Sequence, residues 1–309
     1  MKIGLVTDGV GHQSFDEMLK WCQETGVQQL ELACGTWSDA PHLDLDRWLS
    51  DKAFREENVK KIKDHGLSIS ALNCSGNPLF PFGKGEEDRE VVRKTFQLSH
   101  ELELDTVVMM SGLPGGGPRD EYPNWAVTSW PPVTHEIVAY QWETAIDYWQ
   151  KAVEQAKEQG VKKVALEPHG FQLVHNVENF RRLREHTDET VGFNLDPSHL
   201  FWMGADPLAV ASELKDAIYH VHVKDVRIEK GPAAANTLLD TKHVLEVADR
   251  SWNFAIPGYG HTEEFWRNFI IQLKLAGYNG VLSIEHEDYT MDAELGIKKT
   301  VDLLKDIIV

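Results

Sequence analysis

Residues 163–199 read KVALEPHGFQLVHNVENFRRLREHTDETVGFNLDPSH and show the pattern that decides the fold. Two short β-rich runs, KVALEPH from Lys163 and VGFNLDP from Val191, are separated by a longer amphipathic stretch. Strand and helix patterns that alternate in this way indicate parallel strands, because the chain has to cross back over the sheet before the next strand begins. We therefore predict a strand–helix–strand unit here.

The same alternation runs through the whole chain. Eight β-rich runs are present, and they begin at Lys2, Gln28, Leu67, Thr106, Lys163, Val191, Ile218 and Val281. The stretches between them carry helical spacing, as at Phe15, Met18, Leu19 and Cys22. Eight such units favour closure of the sheet, so we predict an α/β protein with one (β/α)8 barrel domain, a TIM barrel, over residues 1–309. An open, doubly wound sheet is the alternative.

The composition is that of a globular protein without nucleic-acid or membrane partners. Hydrophobic residues make up 42% of the chain and charged residues 26%, which is ordinary for a folded domain. The 31 basic and 49 acidic residues give a net charge of −18, and no basic strip is present to bind a phosphate backbone. We also find no leader pattern, no apolar run approaching about 18 residues and no CxxC pair among the three cysteines. We expect a cytoplasmic protein with buried, unpaired cysteines.

Two connections are too long to be simple turns. Residues 112–138 follow the fourth strand and contain Trp125 and Trp130, and residues 226–260 follow the seventh strand. Long loops in compact domains usually serve binding or catalysis, and both leave the carboxyl ends of strands, where barrel enzymes place their active sites. We expect Trp125 or Trp130 to stack on a bound small molecule. Alternatively, both pack the loop onto the barrel or form a subunit contact.

Four consecutive strands end in clusters of carboxylates and histidines. These ends read Glu167-Pro168-His169, Asp196-Pro197-Ser198-His199, His220-Val221-His222-Val223-Lys224-Asp225 and Glu285-His286-Glu287-Asp288. Polar side chains are costly inside a barrel, so four such ends indicate a shared site rather than four solvated loops. Carboxylates with an imidazole suit Mn²⁺, Mg²⁺ or Co²⁺. We therefore predict a divalent-metal site at the carboxyl ends of these strands.

Periodicity does not choose between His220 and His222, because alternate residues of a strand point to the same side. The stretches LEPHG, NLDPSHLFWMG, IYHVHVKDV, RSWNFAIPGYGH and LSIEHED resemble the sugar phosphate isomerase/epimerase family of the xylose-isomerase-like barrels. The resemblance covers nearly the whole chain and is most specific from Glu167 onward. It implies one divalent ion, with Mn²⁺ preferred over Mg²⁺ or Co²⁺, and the metal ligands Glu167, Asp196, His222 and Glu285.

The resemblance also implies a reaction. A metal that bridges a carbonyl and a neighbouring hydroxyl of a sugar favours formation of an enediolate, and Glu167 and Glu285 are implied as the catalytic base and acid. Lys224 stabilises oxyanion charge or, alternatively, pairs with Asp225. The residues expected to contact substrate are His199, His169, Lys224, Arg227, His261 and Trp130.

Two positions depart from the ketose 3-epimerases of this superfamily. Those enzymes carry a second Glu where this chain has Leu173, and an Arg where it has Ile228, with Arg227 displaced by one position. The departures argue against epimerisation of a free ketohexose and favour a glycoside or a 3-keto-sugar. No glycine-rich phosphate loop follows the last two strands, so a sugar phosphate is not expected.

Other functions compete with that of a sugar isomerase or epimerase. A lyase or dehydratase uses the same site, because the same enediolate can expel a β-substituent. Phosphodiester cleavage, as in the endonuclease IV relatives, needs a histidine-rich multi-zinc cluster and a basic groove, which disagrees with the acidic chain. A non-catalytic carbohydrate-binding protein needs only the aromatic loop and no metal quartet. The expected partner is a small sugar or keto-glycoside, and a homo-oligomer is possible.

Overall fold

The β-rich runs of the sequence form strands in the computed structural model, which describes residues 1–309. In chain order the strands are β1 (Lys2–Val6), β2 (Gln29–Ala33), β3 (Ser68–Asn73), β4 (Thr106–Met110), β5 (Lys163–Glu167), β6 (Val191–Leu195), β7 (Ile218–Val223), β8 (Asp225–Ile228), β9 (Trp252–Ala255) and β10 (Val281–Ile284). Eight of them form a closed barrel in the order β1-β10-β7-β6-β5-β4-β3-β2. The predicted (β/α)8 fold is confirmed, and the open-sheet alternative is wrong.

Helices connect the barrel strands. They are α1 (Phe15–Thr25), α2 (Leu45–Ser50), α3 (Lys52–Asp64), α4 (Gly83–Glu101), α5 (Val133–Glu158), α6 (Val177–His186), α7 (Pro197–Met203), α8 (Pro207–Leu214), α9 (Lys230–Asn236), α10 (Glu263–Leu275) and α11 (Ala293–Ile307). Local sequence sets their ends: Ser14 and Glu17 form a reciprocal capping box that begins α1, and Gly26, with φ of 93°, ends it. None of these helices combines the length and apolarity needed to cross a bilayer.

The chain divides into two units, the first of which comprises Met1–Glu31, Val59–Ser70 and Leu195–Val309. Within it, β10 pairs in parallel with β1 on one side and with β7 on the other, where Ser283 lies opposite His222. Helices α10 and α11 bury apolar faces that include Phe269 and Val301. This unit therefore carries three of the four strand ends at which a site is predicted.

The second unit comprises Leu32–Asn58 and Ala71–Asn194. Its strands β3, β4, β5 and β6 pair in sequence order, and buried amides tie the loops that follow them. Asn77 Oδ1 accepts a hydrogen bond from Leu113 N at 2.8 Å, and Gln172 Oε1 accepts one from Gly112 N at 2.7 Å. Both amides are almost fully buried, so they hold the loops after β3, β4 and β5 in fixed mutual positions.

The two long connections differ in structure. The predicted segment 112–138 is irregular only as far as Val133, where α5 begins. The predicted segment 226–260 holds regular structure, because β8 and β9 pair antiparallel with Asp225 opposite Ala255. Trp252 of β9 stacks on Trp202 of α7 with ring centroids 4.9 Å apart. A small second sheet thus adjoins the strand ends of the first unit.

Asp225, at the start of β8, anchors the segment that returns from this sheet. Its buried carboxylate accepts hydrogen bonds from His261 N at 2.8 Å, His261 Nδ1 at 2.7 Å, Gly260 N at 3.2 Å and Trp266 Nε1 at 3.2 Å. Gly260 is needed for this approach, since a Cβ there would lie 2.2 Å from Val226 O. One carboxylate therefore fixes the position of the chain that leads into α10.

We expect Asp225→Ala to lower the free energy of unfolding by about 3 kcal/mol or more, because several buried donors lose their acceptor and each such donor costs roughly 1–3 kcal/mol. Urea titration followed by circular dichroism measures this loss. Asp302→Ala is the control, because Asp302 forms only an exposed pair with Lys298 on α11 and should change stability by less than about 0.5 kcal/mol. Equal losses in the two variants would contradict the anchoring role.

Candidate metal centre and active site

Asp196 lies directly after β6 and begins helix α7. Its Oδ1 accepts a hydrogen bond from Ser198 N at 2.7 Å, which satisfies a donor of the first helical turn. Its Oδ2 lies 3.2 Å from Lys224 Nζ and 3.5 Å from His199 Nε2. One carboxylate oxygen therefore holds the helix, while the other faces the strand ends.

His222 is buried on β7 and makes two polar contacts on opposite sides of its ring. Its Nε2 lies 3.1 Å from Glu31 Oε1, and its Nδ1 lies 3.0 Å from Glu285 Oε2. His220, on the same side of the strand, contacts Glu31 Oε2 through its Nε2 at 2.7 Å. Strand periodicity did not distinguish these two histidines, but the structure does, because His222 is the one that faces Glu285.

Lys224 is a buried ammonium group among carboxylates. Its Nζ lies 2.7 Å from Glu285 Oε2, 2.8 Å from Glu287 Oε2 and 3.2 Å from Asp196 Oδ2. The carboxylate of Asp225, the alternative partner of Lys224, accepts hydrogen bonds from the returning chain at Gly260 and His261. Since a buried charge needs partners of opposite sign, Lys224 and these carboxylates depend on one another.

Of the four metal ligands predicted from the sequence, three lie in the first unit and form a group that could hold a metal ion: Asp196, His222 and Glu285. Their candidate ligand atoms lie within 4.8 Å of one another. The fourth predicted ligand, Glu167, lies in the second unit and stays a prediction. Glu167 is the last residue of β5 and is buried. Three carboxylates and one imidazole are a donor set that divalent ions such as Mn²⁺, Mg²⁺ and Zn²⁺ accept.

The contact between His222 Nδ1 and Glu285 Oε2 fits a cation site. A carboxylate oxygen is an acceptor, and a neutral imidazole that donates from Nε2 carries a lone pair on Nδ1. Two such atoms 3.0 Å apart repel each other unless a proton or a metal ion binds both. The residues present therefore suit a divalent ion on chemical grounds.

Three further predicted residues of the first unit are held by their neighbours. His199 is buried, with its Nδ1 3.5 Å from Trp202 Nε1. His261 donates from Nδ1 to Asp225 and stacks on Phe201 at a centroid distance of 3.5 Å. Arg227 Nε donates to Glu229 at 2.7 Å. The predicted substrate contacts of all three side chains stay predictions.

The predicted residues of the second unit lie on its loops. His169, two residues after Glu167, packs its ring against the edge of Trp37 at 5.6 Å. Trp125 donates from Nε1 to Gln172 O at 3.2 Å, so it packs its loop onto the segment that follows β5. Trp130 is 75% exposed, and its predicted stacking on a ligand stays a prediction.

Sequence reasoning gave no role to Glu31 and Trp37, and it included Glu287 only as a member of a strand-end cluster. Glu31 lies between two leucines of β2, and a carboxylate in an apolar strand is as costly as one at a strand end. The free-energy cost of burying a carboxylate, which indicated a site at the strand ends, therefore also marks Glu31 as a residue with a role. Trp37 had no comparable signal, because its proximity to His169 depends on the position of the loop after β2.

Comparison with known proteins agrees with the barrel fold. The model of the xylose isomerase-like TIM barrel family matches residues 19–307, and the chain belongs to that family, as the sequence resemblance predicted. The chain is 47% identical to the uncharacterized protein YfiH of Bacillus subtilis strain 168, over 100% of this chain and 99% of that protein.

Two further similarities are to an enzyme and to a protein with a bound zinc atom. The chain is 30% identical to the inosose dehydratase of Geobacillus thermodenitrificans over 173 residues, which are 53% of this chain and 56% of that enzyme. The match thus spans about half of the dehydratase. A solved structure of the IOLI protein with a binding zinc atom superposes with a TM-score of 0.69 at 19% identity, over 100% of this chain and 98% of that one. This second likeness shows a shared fold.

We expect Lys224→Met to lower the free energy of unfolding at neutral pH by about 2–3 kcal/mol. Breaking a buried ion pair costs roughly 3–5 kcal/mol, and the loss is smaller here because Glu285 and Glu287 are partly exposed. Thermal and urea unfolding measure the change. Lys151→Met is the control, since Lys151 forms an exposed pair with Asp147, and a Lys224 variant as stable as this control would contradict the interdependence of the cluster.

Proposed function

We propose that this protein is a divalent-metal-dependent isomerase or epimerase of a sugar or keto-glycoside. One observation carries the proposal: the buried cluster in which Asp196, His222 and Glu285 converge beside the ammonium group of Lys224. The cluster lies at the carboxyl ends of barrel strands, where barrel enzymes place their catalytic residues. The xylose isomerase-like family of the chain supports the same class of reaction.

We propose Glu167, Asp196, His222 and Glu285 as the ligands of one divalent ion, with Mn²⁺ as the preferred ion. An oxygen-rich donor set favours a hard or intermediate ion over one that prefers thiolates. When bound, the ion supplies Lewis acidity toward the carbonyl and neighbouring hydroxyl of a sugar. The zinc atom in the IOLI protein makes Zn²⁺ the second ion to test.

Proton transfer is assigned to the two glutamates. Glu285 contacts Lys224 and His222, and its side chain is 23% exposed. It can therefore contact both the cluster and a substrate. We propose that Glu167 and Glu285 act on opposite sides of the sugar, one removing the proton from the carbon beside the carbonyl and the other returning it. We propose that the ammonium of Lys224 donates a hydrogen bond to the substrate oxygen on which negative charge develops.

A dehydratase is the second candidate, and the inosose dehydratase similarity favours it. The same proton removal yields an enediolate that can expel a hydroxyl from the next carbon instead of being reprotonated. The residues assigned to metal binding and proton transfer are unchanged in that case. The two candidates therefore differ in product and not in the site that both require.

The metal assignment predicts that protein dialysed against Mn²⁺ and then desalted retains about one ion per chain, as measured by inductively coupled plasma mass spectrometry. Asp196→Ala and His222→Ala should each lose the ion while far-ultraviolet circular dichroism shows a folded barrel, because strand-end residues serve the site more than the core. His186→Ala, at the end of α6, is the matched histidine control. Retention of the ion by both site variants would overturn the ligand assignment.

The proton-transfer assignment predicts incorporation of deuterium from D₂O at the carbon next to the carbonyl of a turned-over substrate. A panel of ketoses, inososes and 3-keto-glycosides, followed by NMR and mass spectrometry, separates epimers, isomers and elimination products. Glu167→Gln and Glu285→Gln should each lose nearly all turnover, because a neutral amide cannot accept the proton. His186→Ala, at the end of α6, is the control and is expected to retain turnover.

Each contrary result points to a different mechanism. Full turnover in both glutamine variants would exclude the two-carboxylate mechanism and move the base to His199, His169 or Lys224. Turnover without any deuterium in the recovered sugar would indicate a direct hydride shift between carbons. Elimination products alone would favour the dehydratase over the epimerase.

A further inference from the structure

Glu31 is a carboxylate enclosed in the first unit of the barrel. It is the third residue of β2 and has no exposed surface. Three donors surround it: Ser283 Oγ at 2.6 Å, His220 Nε2 at 2.7 Å and His222 Nε2 at 3.1 Å. An isolated carboxylate would be very costly at such a place, so this arrangement of donors is what permits the residue.

The contacts of Glu31 indicate which ring nitrogens donate. His220 approaches the carboxylate through Nε2 at 2.7 Å, and His222 approaches it through Nε2 at 3.1 Å. A carboxylate oxygen accepts hydrogen bonds. These two contacts are therefore hydrogen bonds when both rings carry a proton on Nε2.

We propose that Glu31 is a positioning residue that fixes the ring orientation and the tautomer of His222, so that Nδ1 presents its lone pair to the metal. The opposite ring nitrogen, Nε2, is held by Glu31 at 3.1 Å, while Nδ1 faces Glu285 Oε2 at 3.0 Å. Metal-binding histidines commonly donate their other ring nitrogen to a carboxylate, which sets the tautomer and the ring angle. This inference rests on the proposed function, since it takes His222 as a ligand.

The same geometry assigns a role to His220 and Ser283. Both donate to Glu31 Oε2, whereas His222 contacts Oε1. They therefore hold one oxygen of the carboxylate and leave the other for His222. The first histidine of the HVH sequence thus anchors Glu31, and the second one binds the metal.

The first test measures binding of Mn²⁺ by isothermal titration calorimetry. Glu31→Gln should raise the Kd by about 10–100-fold, the usual effect of removing such a carboxylate. Asp240→Asn is the matched control, because Asp240 is also a buried carboxylate in the same unit but accepts from Ser251 N and Lys242 instead. A Kd within twofold of the wild type for Glu31→Gln, or an equal rise for Asp240→Asn, would overturn the proposal.

The second test uses the metal-free wild-type protein, so it does not depend on metal binding or on the folding of a variant. Long-range ¹H–¹⁵N NMR of protein labelled with ¹⁵N-histidine and stripped with chelator reports which ring nitrogen carries the proton. We expect Nε2–H for both His220 and His222 in the wild type. A proton on Nδ1 of His222 alone would refute the role of Glu31 even if Mn²⁺ binds.

The two tests separate failure of this inference from failure of the proposed function. If the wild type binds neither Mn²⁺ nor Zn²⁺, the proposed metal site fails and the positioning role fails with it. If the wild type binds an ion and His222 carries its proton on Nε2, the effect of Glu31→Gln on the Kd decides the positioning role alone.

Discussion

A charged side chain that is buried on folding needs a partner of opposite charge, and this constraint determines the structure at the carboxyl ends of β6, β7 and β10. Lys224 contacts three carboxylates there: Asp196 follows β6, and Glu285 and Glu287 both follow β10. The ammonium group and the carboxylates are buried or partly buried, so each needs a partner of opposite charge. The cluster therefore stabilises one arrangement of these strand ends. The same placement brings carboxylate oxygens and an imidazole nitrogen within the span of one metal ion.

Polar groups in the first unit form two connected levels. Glu31, His220 and Ser283 make up the inner level, and Asp196, Glu285 and Lys224 make up the outer one. His222 belongs to both, since its two ring nitrogens face one level each. An interior that most barrels fill with branched apolar side chains is here partly polar, and the polar part lies directly behind the proposed chemistry.

Much of this arrangement was predictable from the sequence, and particular residues show where prediction stops. The strands were predictable because apolar runs such as KVALE and VGFNL recur with helical patterns between them. A polar cluster at the strand ends was predictable because acidic residues at strand ends of a barrel lie at one face, and its role as a metal site stays a prediction. The β8–β9 sheet was not, since runs of four residues such as WNFA carry too little alternation to indicate a strand.

Other features depend on distances that sequence spacing does not encode. The pairing of Lys224 with Glu285 and Glu287, rather than with its neighbour Asp225, depends on where Gly260 and His261 return to β8. Glu31 is separated from His220 by 189 positions in the chain, and no local pattern joins them. Trp37 meets His169 through loop positions that only the folded chain determines.

The divided role of Asp196 has a consequence for how such a protein can change over evolutionary time. One carboxylate oxygen caps α7 and the other faces the proposed metal site, so the proposal gives this side chain a structural role and a role in metal binding. A substitution that removes the proposed metal ligand keeps the helix cap only if the new side chain also accepts the hydrogen bond, as asparagine or serine would. Relatives that lack the proposed metal site are therefore expected to retain a short polar residue here, because the helix still needs its cap.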